Sequence, residues 1–255
     1  MRAAETDKRL ILIFLRGALD GLNVVVPYGD RNLKKWRESL VLPEPGQPGG
    51  LSDLGGFWGL HPSLKAMHAI YRANDLLPLQ AVAGPNRSRS HFEAQDMMEI
   101  GAEKRMTSGW LNRLTALLPR ASIGDTAVSM GTMTPLILHG PTPVTTWNPF
   151  HARPAVSPGF YENIVAMHAP DAQTGSLLGD ALAERRHLDK LLAGVSYDGI
   201  SGEFPRLARA AARMLASADG PRLAELDLDG WDTHTNQHVR LTQALRQLDD
   251  GIAIL

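Results

Sequence analysis

A short, unbroken apolar run near the start of the chain constrains the fold more than any other feature. The run is Leu10-Ile-Leu-Ile-Phe-Leu15, and it shows no polar alternation. This pattern is typical of a strand that is covered on both faces in a parallel sheet, and the run is too short for a membrane span. We therefore predict a central strand of an α/β fold over residues 10–15.

Polar residues follow this strand directly. Ligands of open α/β sheets bind beyond the carboxyl ends of the strands, so Arg16, Asp20 and Asn23 lie where a binding site is expected. An ordinary strand-to-helix turn explains the same stretch, with Gly17 and Gly21 giving backbone freedom and Asp20 acting as a turn or cap residue. The residues by themselves leave both interpretations open.

Composition and charge exclude several classes of protein. The chain has 255 residues, enough for a sizeable core, and we expect a single domain over residues 1–255. A formal net charge of −1 with mixed signs gives no basic surface for nucleic acid and no polybasic membrane anchor. Because the chain has no cysteine, a metal would be held by carboxylate, imidazole or hydroxyl groups. Residues 1–9 are polar, so we expect neither a signal peptide nor a transmembrane helix, and a cytoplasmic or already processed chain.

Glycine and proline mark two irregular stretches. Residues 28–59 are rich in both and predict a long surface excursion. Residues 139–159 contain five prolines and predict an irregular rim, in which His139 and His151 are candidate ligands or simply solvated side chains. Elsewhere, apolar patterning predicts strands at residues 79–83, 127–130, 136–138 and 222–228, and helices at residues 110–118, 176–192, 204–217 and near the end of the chain.

Ser90 has two interpretations. The Ser90-x-x-Glu93 spacing is a capping box, which explains the serine as the N-cap of a helix. A serine at a helix N-terminus also lies in a field that favours an attacking alkoxide and binds oxyanions. Arg87 and Arg89 beside it suit a phosphate or sulfate group. Cap and nucleophile both remain open.

A second strand end carries an acid and a histidine. In Asp232-Thr-His234 the two side chains lie two residues apart, so an extended segment projects both to the same side, as a pair of metal ligands requires. The alternative is a polar start of a helix, with Thr235 or Asn236 as the N-cap and His234 solvated. His238 is a further candidate ligand.

Several motifs occur together in one order. They are Leu15-Arg-Gly-Ala-Leu-Asp20-Gly-Leu-Asn23, Gly59-Leu-His-Pro62, Arg89-Ser-His-Phe92 with Ala94-Gln95, Ser108-Gly-Trp-Leu-Asn-Arg113, and Gly230-Trp-Asp-Thr-His234 with Asn236-Gln237. In combination they resemble the bacterial DUF1501 family over nearly the whole chain. That family looks like a branch of the alkaline phosphatase and sulfatase superfamily, whose members hydrolyse phosphate or sulfate esters with a two-metal site and a Ser, Thr or formylglycine nucleophile.

The resemblance implies roles for individual residues. Asp20 matches the metal aspartate of the first strand, whereas Asp232 and His234 are similar to the pair that binds the other metal. Ser90 resembles the nucleophile, with His91 beside it as a second catalytic residue. The substrate would be a small anionic ester, and the cofactors would be divalent ions such as zinc, calcium or magnesium. The residues expected to bind the substrate are Arg16, Asn23, Arg87 and Arg89.

Two departures from the family pattern accompany this resemblance. Family members usually carry a secretory leader, often of the twin-arginine type, so we expect a periplasmic or secreted precursor, or a cytoplasmic protein if this leaderless chain is the whole product. The family also continues into a Glu-Phe-Gly-Arg strand and an Asp-His-Gly segment that complete the metal site, whereas this chain stops at Leu255.

The expected fold is thus an α/β three-layer sandwich of the alkaline phosphatase type, with a mostly parallel central sheet and without its C-terminal part. The expected function is a metal-dependent ester hydrolase, impaired as this chain. The alternative is a non-catalytic protein that uses the scaffold to bind an anionic ligand or a protein partner. A missing sheet edge would be covered by a second copy, so a homodimer remains open.

Overall fold

The structure of the protein is a computed structural model that describes residues 7–84, 86–118, 126–150 and 159–255, without the side chains of residues 172 and 173. His151, and with it most of the second half of the predicted rim, lies outside the described residues. The strands are β1 (Leu10–Leu15), β2 (Val25–Val26), β3 (Ser52–Asp53), β4 (Gly59–Leu60), β5 (Ala127–Ser129), β6 (Thr145–Thr146) and β7 (Leu223–Leu228). The helices are α1 (Gly21–Val24), α2 (Leu33–Arg37), α3 (Lys65–Arg72), α4 (His91–Ile100), α5 (Trp110–Thr115), α6 (Gly159–His168), α7 (Ala172–Leu191), α8 (Glu203–Ala216) and α9 (Gln237–Ile252).

The larger sheet has four strands in the order β1-β7-β5-β6. Strand β5 pairs in parallel with both β6 and β7. The backbone bonds from Leu10 N–H to Arg222 O and from Arg16 N–H to Leu228 O advance in the same direction along β1 and β7, so this pair is parallel too. Helices lie between β1 and β5 and between β6 and β7 along the chain, which confirms the predicted α/β class and the parallel sheet.

A second, smaller sheet joins the two ends of the stretch predicted as a surface excursion: β2 precedes the stretch, β3 lies within it and β4 begins at its last residue. Its strands β2, β4 and β3 are antiparallel and very short. A small core of its own accompanies it, formed by Val26, Leu42 and Leu51. The excursion is therefore an ordered subdomain in which buried aliphatic side chains hold the Gly- and Pro-rich turns in place.

The chain separates into two compact units, each made of several stretches. The first comprises Met1–Ile13, Glu99–Ile200 and Arg209–Leu226, and the second comprises Phe14–Met98, Ser201–Ala208 and Asp227–Leu255. A core cluster of the first unit contains Leu111, Ala127, Ile137, Leu138 and Leu223. The residues considered below as a candidate site all belong to the second unit.

Three of the predicted strands need correction. Strand β1 has the predicted bounds but lies at an edge of the described sheet rather than at its centre, and its first residue, Leu10, is exposed. Residues 136–138 form a 3-10 turn, closed by a bond from Leu138 N–H to Pro135 O.

Residues 79–83 form no strand. Two local features explain this: Pro78 has no N–H to donate, and Ala81 has a left-handed φ of 56° that a strand does not allow. The apolar side chains here are solvated, with Leu77 79% and Val82 77% exposed. The apolar composition of residues 79–83 predicted a strand, but these residues pair with no strand that the structure describes.

Within the described residues, every helix is either too short or too polar to cross a lipid bilayer.

Candidate metal site

The segment after β7 is held in place by a buried tryptophan and a close backbone approach. Trp231 is completely buried, and its Nε1–H donates to Leu228 O at 2.7 Å. Gly17 lies against the next residue: a Cβ on Gly17 would come within 2.8 Å of the backbone nitrogen of Asp232. Because Gly17 also has a φ of +126°, only glycine is tolerated here. The loop after β1 thus fixes the position of the Asp232 backbone.

Three potential ligands meet beside this backbone contact. His234 Nε2 lies 2.9 Å from Asp232 Oδ2, and His91 Nε2 lies 3.5 Å from the same oxygen. The ligand atoms of these three residues all lie within 4.8 Å of one another. Asp232 and His91 are partly buried, whereas His234 is largely exposed. The acid and the histidine of Asp232-Thr-His234 are thus in contact.

The donor atoms of this group fit a divalent transition metal. Two imidazole nitrogens and one carboxylate oxygen are ligands that Zn²⁺ accepts, and three protein ligands leave a coordination position for a substrate. The position of His91 as the first residue of α4 brings the third ligand to a pair that lies about 140 residues further along the chain. Sequence reasoning gave His91 a catalytic role only; the structure places its imidazole with the predicted metal ligands.

Asp20 is not part of this group of ligands. Its Oδ2 forms an ion pair with Arg37 Nη2 and accepts a hydrogen bond from Gln237 Nε2. Arg37 is the last residue of α2, and Gln237 is the first residue of α9. Sequence reasoning missed both residues, although Gln237 lies within one of the motifs quoted above. That Asp20 is a metal ligand stays a prediction.

The remaining predicted site residues lie in two settings. Arg16 Nε pairs with Asp227 Oδ1 at 2.8 Å, and its guanidinium stacks 4.8 Å from the centre of the Phe14 ring. Asn23 is buried in α1. In contrast, Arg87 and Arg89 are exposed in the loop before α4. Only this second pair therefore presents its positive charge to solvent beside Ser90 and His91.

Ser90 acts as the cap of α4. Its Oγ accepts a hydrogen bond from Glu93 N–H at 3.3 Å, as the serine half of a capping box does. The backbone N–H of Ser90 is bonded to Ser88 Oγ instead of to the Glu93 side chain. The structure confirms the capping interpretation of Ser90, and it leaves the hydroxyl at the N-terminus of a ten-residue helix.

Two of the quoted motifs serve the fold. Asn112, in α5, is buried; its Nδ2 donates to Leu138 O and Thr142 O, both at 2.8 Å, and its Oδ1 accepts from Thr142 N–H. His61 is also buried, and its Nδ1 accepts a bond from Ser63 N–H at 3.1 Å. Burial, with a smaller contribution from His238 and Arg246, lowers the pKa of His61 to about 4. Sequence patterning assigned neither role.

Together, the parallel sheet and the His-Asp-His group define the class: an α/β protein with a potential metal site in the segment after a sheet strand. The family model described as "Protein of unknown function (DUF1501)" matches residues 73–255, which is well over half of the chain. The chain therefore belongs to the DUF1501 family. Neither a curated protein nor a solved structure matches it.

Proposed function

We propose that this protein is a metal-dependent hydrolase of phosphate or sulfate esters, with the three-layer architecture of the alkaline phosphatase type. The observation that carries the proposal is the convergence of His91 Nε2, His234 Nε2 and Asp232 Oδ2 within 4.8 Å. These residues would hold a divalent cation, and the four-stranded parallel sheet supports the architecture. When bound, such a cation polarises an ester and offsets the negative charge of its oxygens.

Ser90 supplies the nucleophile in this proposal. It directly precedes His91 and lies at the positive end of α4. The N–H of Glu93 already donates to Ser90 Oγ, and a hydrogen bond to this oxygen favours its negatively charged form. The bond formed joins Ser90 Oγ to phosphorus or sulfur, and the ester bond to the leaving oxygen breaks. The serine proton ends on the departing alcohol, and water later releases the group from Ser90.

Arg87 and Arg89 bind the anionic end of the substrate. Both guanidinium groups are exposed, and both lie within three residues of Ser90. A guanidinium presents a planar fork of donors that matches two oxygens of phosphate or sulfate at once. The substrate is therefore a small anionic ester. The formal net charge of −1 agrees with this, since it does not favour a nucleic-acid substrate.

A specific observation favours the second candidate, a non-catalytic protein that binds an anionic ligand. Ser90 Oγ is engaged as a helix cap, and Asp20 is engaged by Arg37 and Gln237. A scaffold with these bonds and an intact His-Asp-His group would bind a metal and an anion without turnover. The two candidates share the metal and differ in the role of Ser90.

The experiment that tests the proposal measures metal content and turnover on the same samples. Elemental mass spectrometry of purified protein is expected to show a divalent metal that is lost in Asp232→Asn and His91→Ala. Asp229→Asn is the matched control, because Asp229 is an exposed aspartate three residues before Asp232. Hydrolysis of an aryl phosphate or aryl sulfate is expected in the wild type. A protein with bound metal but without turnover supports the binding protein, and a protein without metal refutes both candidates.

A further inference from the structure

Two side chains bind Asp20 at one of its carboxylate oxygens. Arg37 neutralises its charge, and the amide of Gln237 donates to the same oxygen at 2.5 Å. The side chains of Asp20 and Arg37 are only 17% and 21% exposed, so water screens this pair less than it would screen a surface pair. Oδ2 of Asp20 is therefore bound to two fixed donors, which a cation would have to displace.

Breaking the ion pair between Arg37 and Asp20 would be costly for Arg37. Its Nε is buried and has no hydrogen-bond partner among the described residues. If Asp20 turned to a metal, the guanidinium would lose its ion pair as well and would remain as a poorly solvated charge. The positive charge of Arg37 would also repel a second cation at this position. The arrangement therefore disfavours Asp20 as a ligand.

The bonds of Asp20 act instead on the segment that carries the metal ligands. This segment is fastened at its start, where Trp231 N–H donates to Arg16 O and Gly17 packs against Asp232. Its end is fastened by the bond from Gln237 to Asp20. Between the two attachments lie both Asp232 and His234, followed by Asn236 with a left-handed φ of 53°. The loop after β1 thus holds the ligand segment at both ends.

We propose that Asp20, Arg37 and Gln237 form a clamp, named here the Asp20 clamp, that positions Asp232 and His234 for metal binding. Asp20 is then a positioning residue and does not coordinate the metal. This inference rests on the metal site of the proposed function. It predicts that breaking the clamp weakens metal affinity, because partners that orient ligands typically contribute roughly 10- to 100-fold in affinity.

Arg37→Gln separates the clamp from direct ligation, because the two predict changes of opposite sign. The measurement is Co²⁺ affinity, by titration of metal-free protein. The clamp predicts weaker binding by roughly 10-fold or more. If Asp20 were a ligand, removal of a competing cation would make binding tighter. Arg31→Gln is the matched control, because it removes the same charge from an exposed position six residues earlier and is expected to leave the affinity unchanged.

Asp20→Asn provides an independent readout should Arg37→Gln fail to fold, which circular dichroism would reveal. The clamp predicts that the Co²⁺ absorption spectrum of this variant keeps the shape of the wild type, since the ligand set is the same. A changed spectrum overturns the clamp, as does an unchanged or increased affinity in Arg37→Gln. Absence of Co²⁺ binding in the wild type refutes the metal site of the proposed function, whereas tight wild-type binding that strengthens in Arg37→Gln refutes the clamp alone.

Discussion

The buried histidine of the second unit predicts a pH dependence of stability. His61 is 3% exposed, and its Nδ1 accepts a bond from Ser63 N–H, so the neutral ring carries its proton on Nε2. Protonation of Nδ1 would break this bond and place a charge in a site that already faces His238 and Arg246. These features agree with a pKa lowered from 6.5 to about 4, with burial as the largest cause.

The sign of the effect follows from proton binding by the two states. Below pH 6.5 the unfolded chain binds a proton at His61, whereas the folded chain binds it only near pH 4. Protons therefore favour unfolding in this window, and stability falls as the pH decreases from 6.5 to 4. The difference between the two pKa values corresponds to about 3 kcal/mol in the free energy of unfolding, most of which is lost by about pH 4.5.

The assay compares His61→Asn with the wild type, by urea unfolding near neutral pH and near pH 4.5 with a chelator present. Asparagine keeps an acceptor for Ser63 N–H but does not titrate. The variant is expected to be the less stable protein near neutral pH, with a deficit that shrinks by about 2 to 3 kcal/mol at the acidic pH. His139→Asn serves as the control, since His139 is exposed. A deficit that is the same at both pH values would refute the reasoning.

Three further predictions concern stability and catalysis. Asp249→Ala is expected to lower the free energy of unfolding by about 2 to 4 kcal/mol, because the buried carboxylate of Asp249 accepts bonds from Ala66 and Met67 N–H at the start of α3. Chemical denaturation measures this loss. A loss no greater than that of Asp250→Ala, at the exposed neighbouring residue, would contradict the prediction. Asn112→Ala is expected to cost about 2 to 3 kcal/mol in the same assay, since three buried polar groups lose their partner; a change below about 1 kcal/mol would contradict this role. Ser90→Asn is expected to keep the cap of α4 and to abolish ester hydrolysis, whereas activity retained in Ser90→Asn but not in Ser90→Ala would show that Ser90 acts only as a cap.

Apolar patterning predicted the two six-residue strands and the three longest helices of the described chain. The bounds of β1 are as predicted, and β7, α8 and α9 lie close to their predicted positions. The pattern failed at residues 79–83 and 136–138, where short apolar runs without regular periodicity do not distinguish strands from turns. It also failed to place β1 at the sheet edge, because an apolar run records average burial and not the number of neighbouring strands.

The sequence also predicted only some of the contacts in the candidate site. The pairing of Asp232 with His234 was predictable, since side chains two residues apart on an extended backbone share a side. The proximity of His91 to Asp232 was not predictable from local spacing. The ion pair of Arg37 with Asp20 was not predictable either, because Arg37 lies in none of the motifs. Sequence patterns also placed Asp20 near a site without distinguishing a ligand from a side chain bound to an arginine.

The sequence by itself determined the class of the fold, the carboxyl ends of β1 and β7 and the residue types available for a metal, because these depend on neighbours along the chain. Only the tertiary structure decided which partners each side chain has. Asp249 caps a helix 183 residues away, and Gln237 reaches Asp20 across 217 residues. Such contacts form only when the core has brought distant segments together, so no local pattern encodes them. Which side chains lie beside Asp232 as candidate ligands depends on packing of this kind.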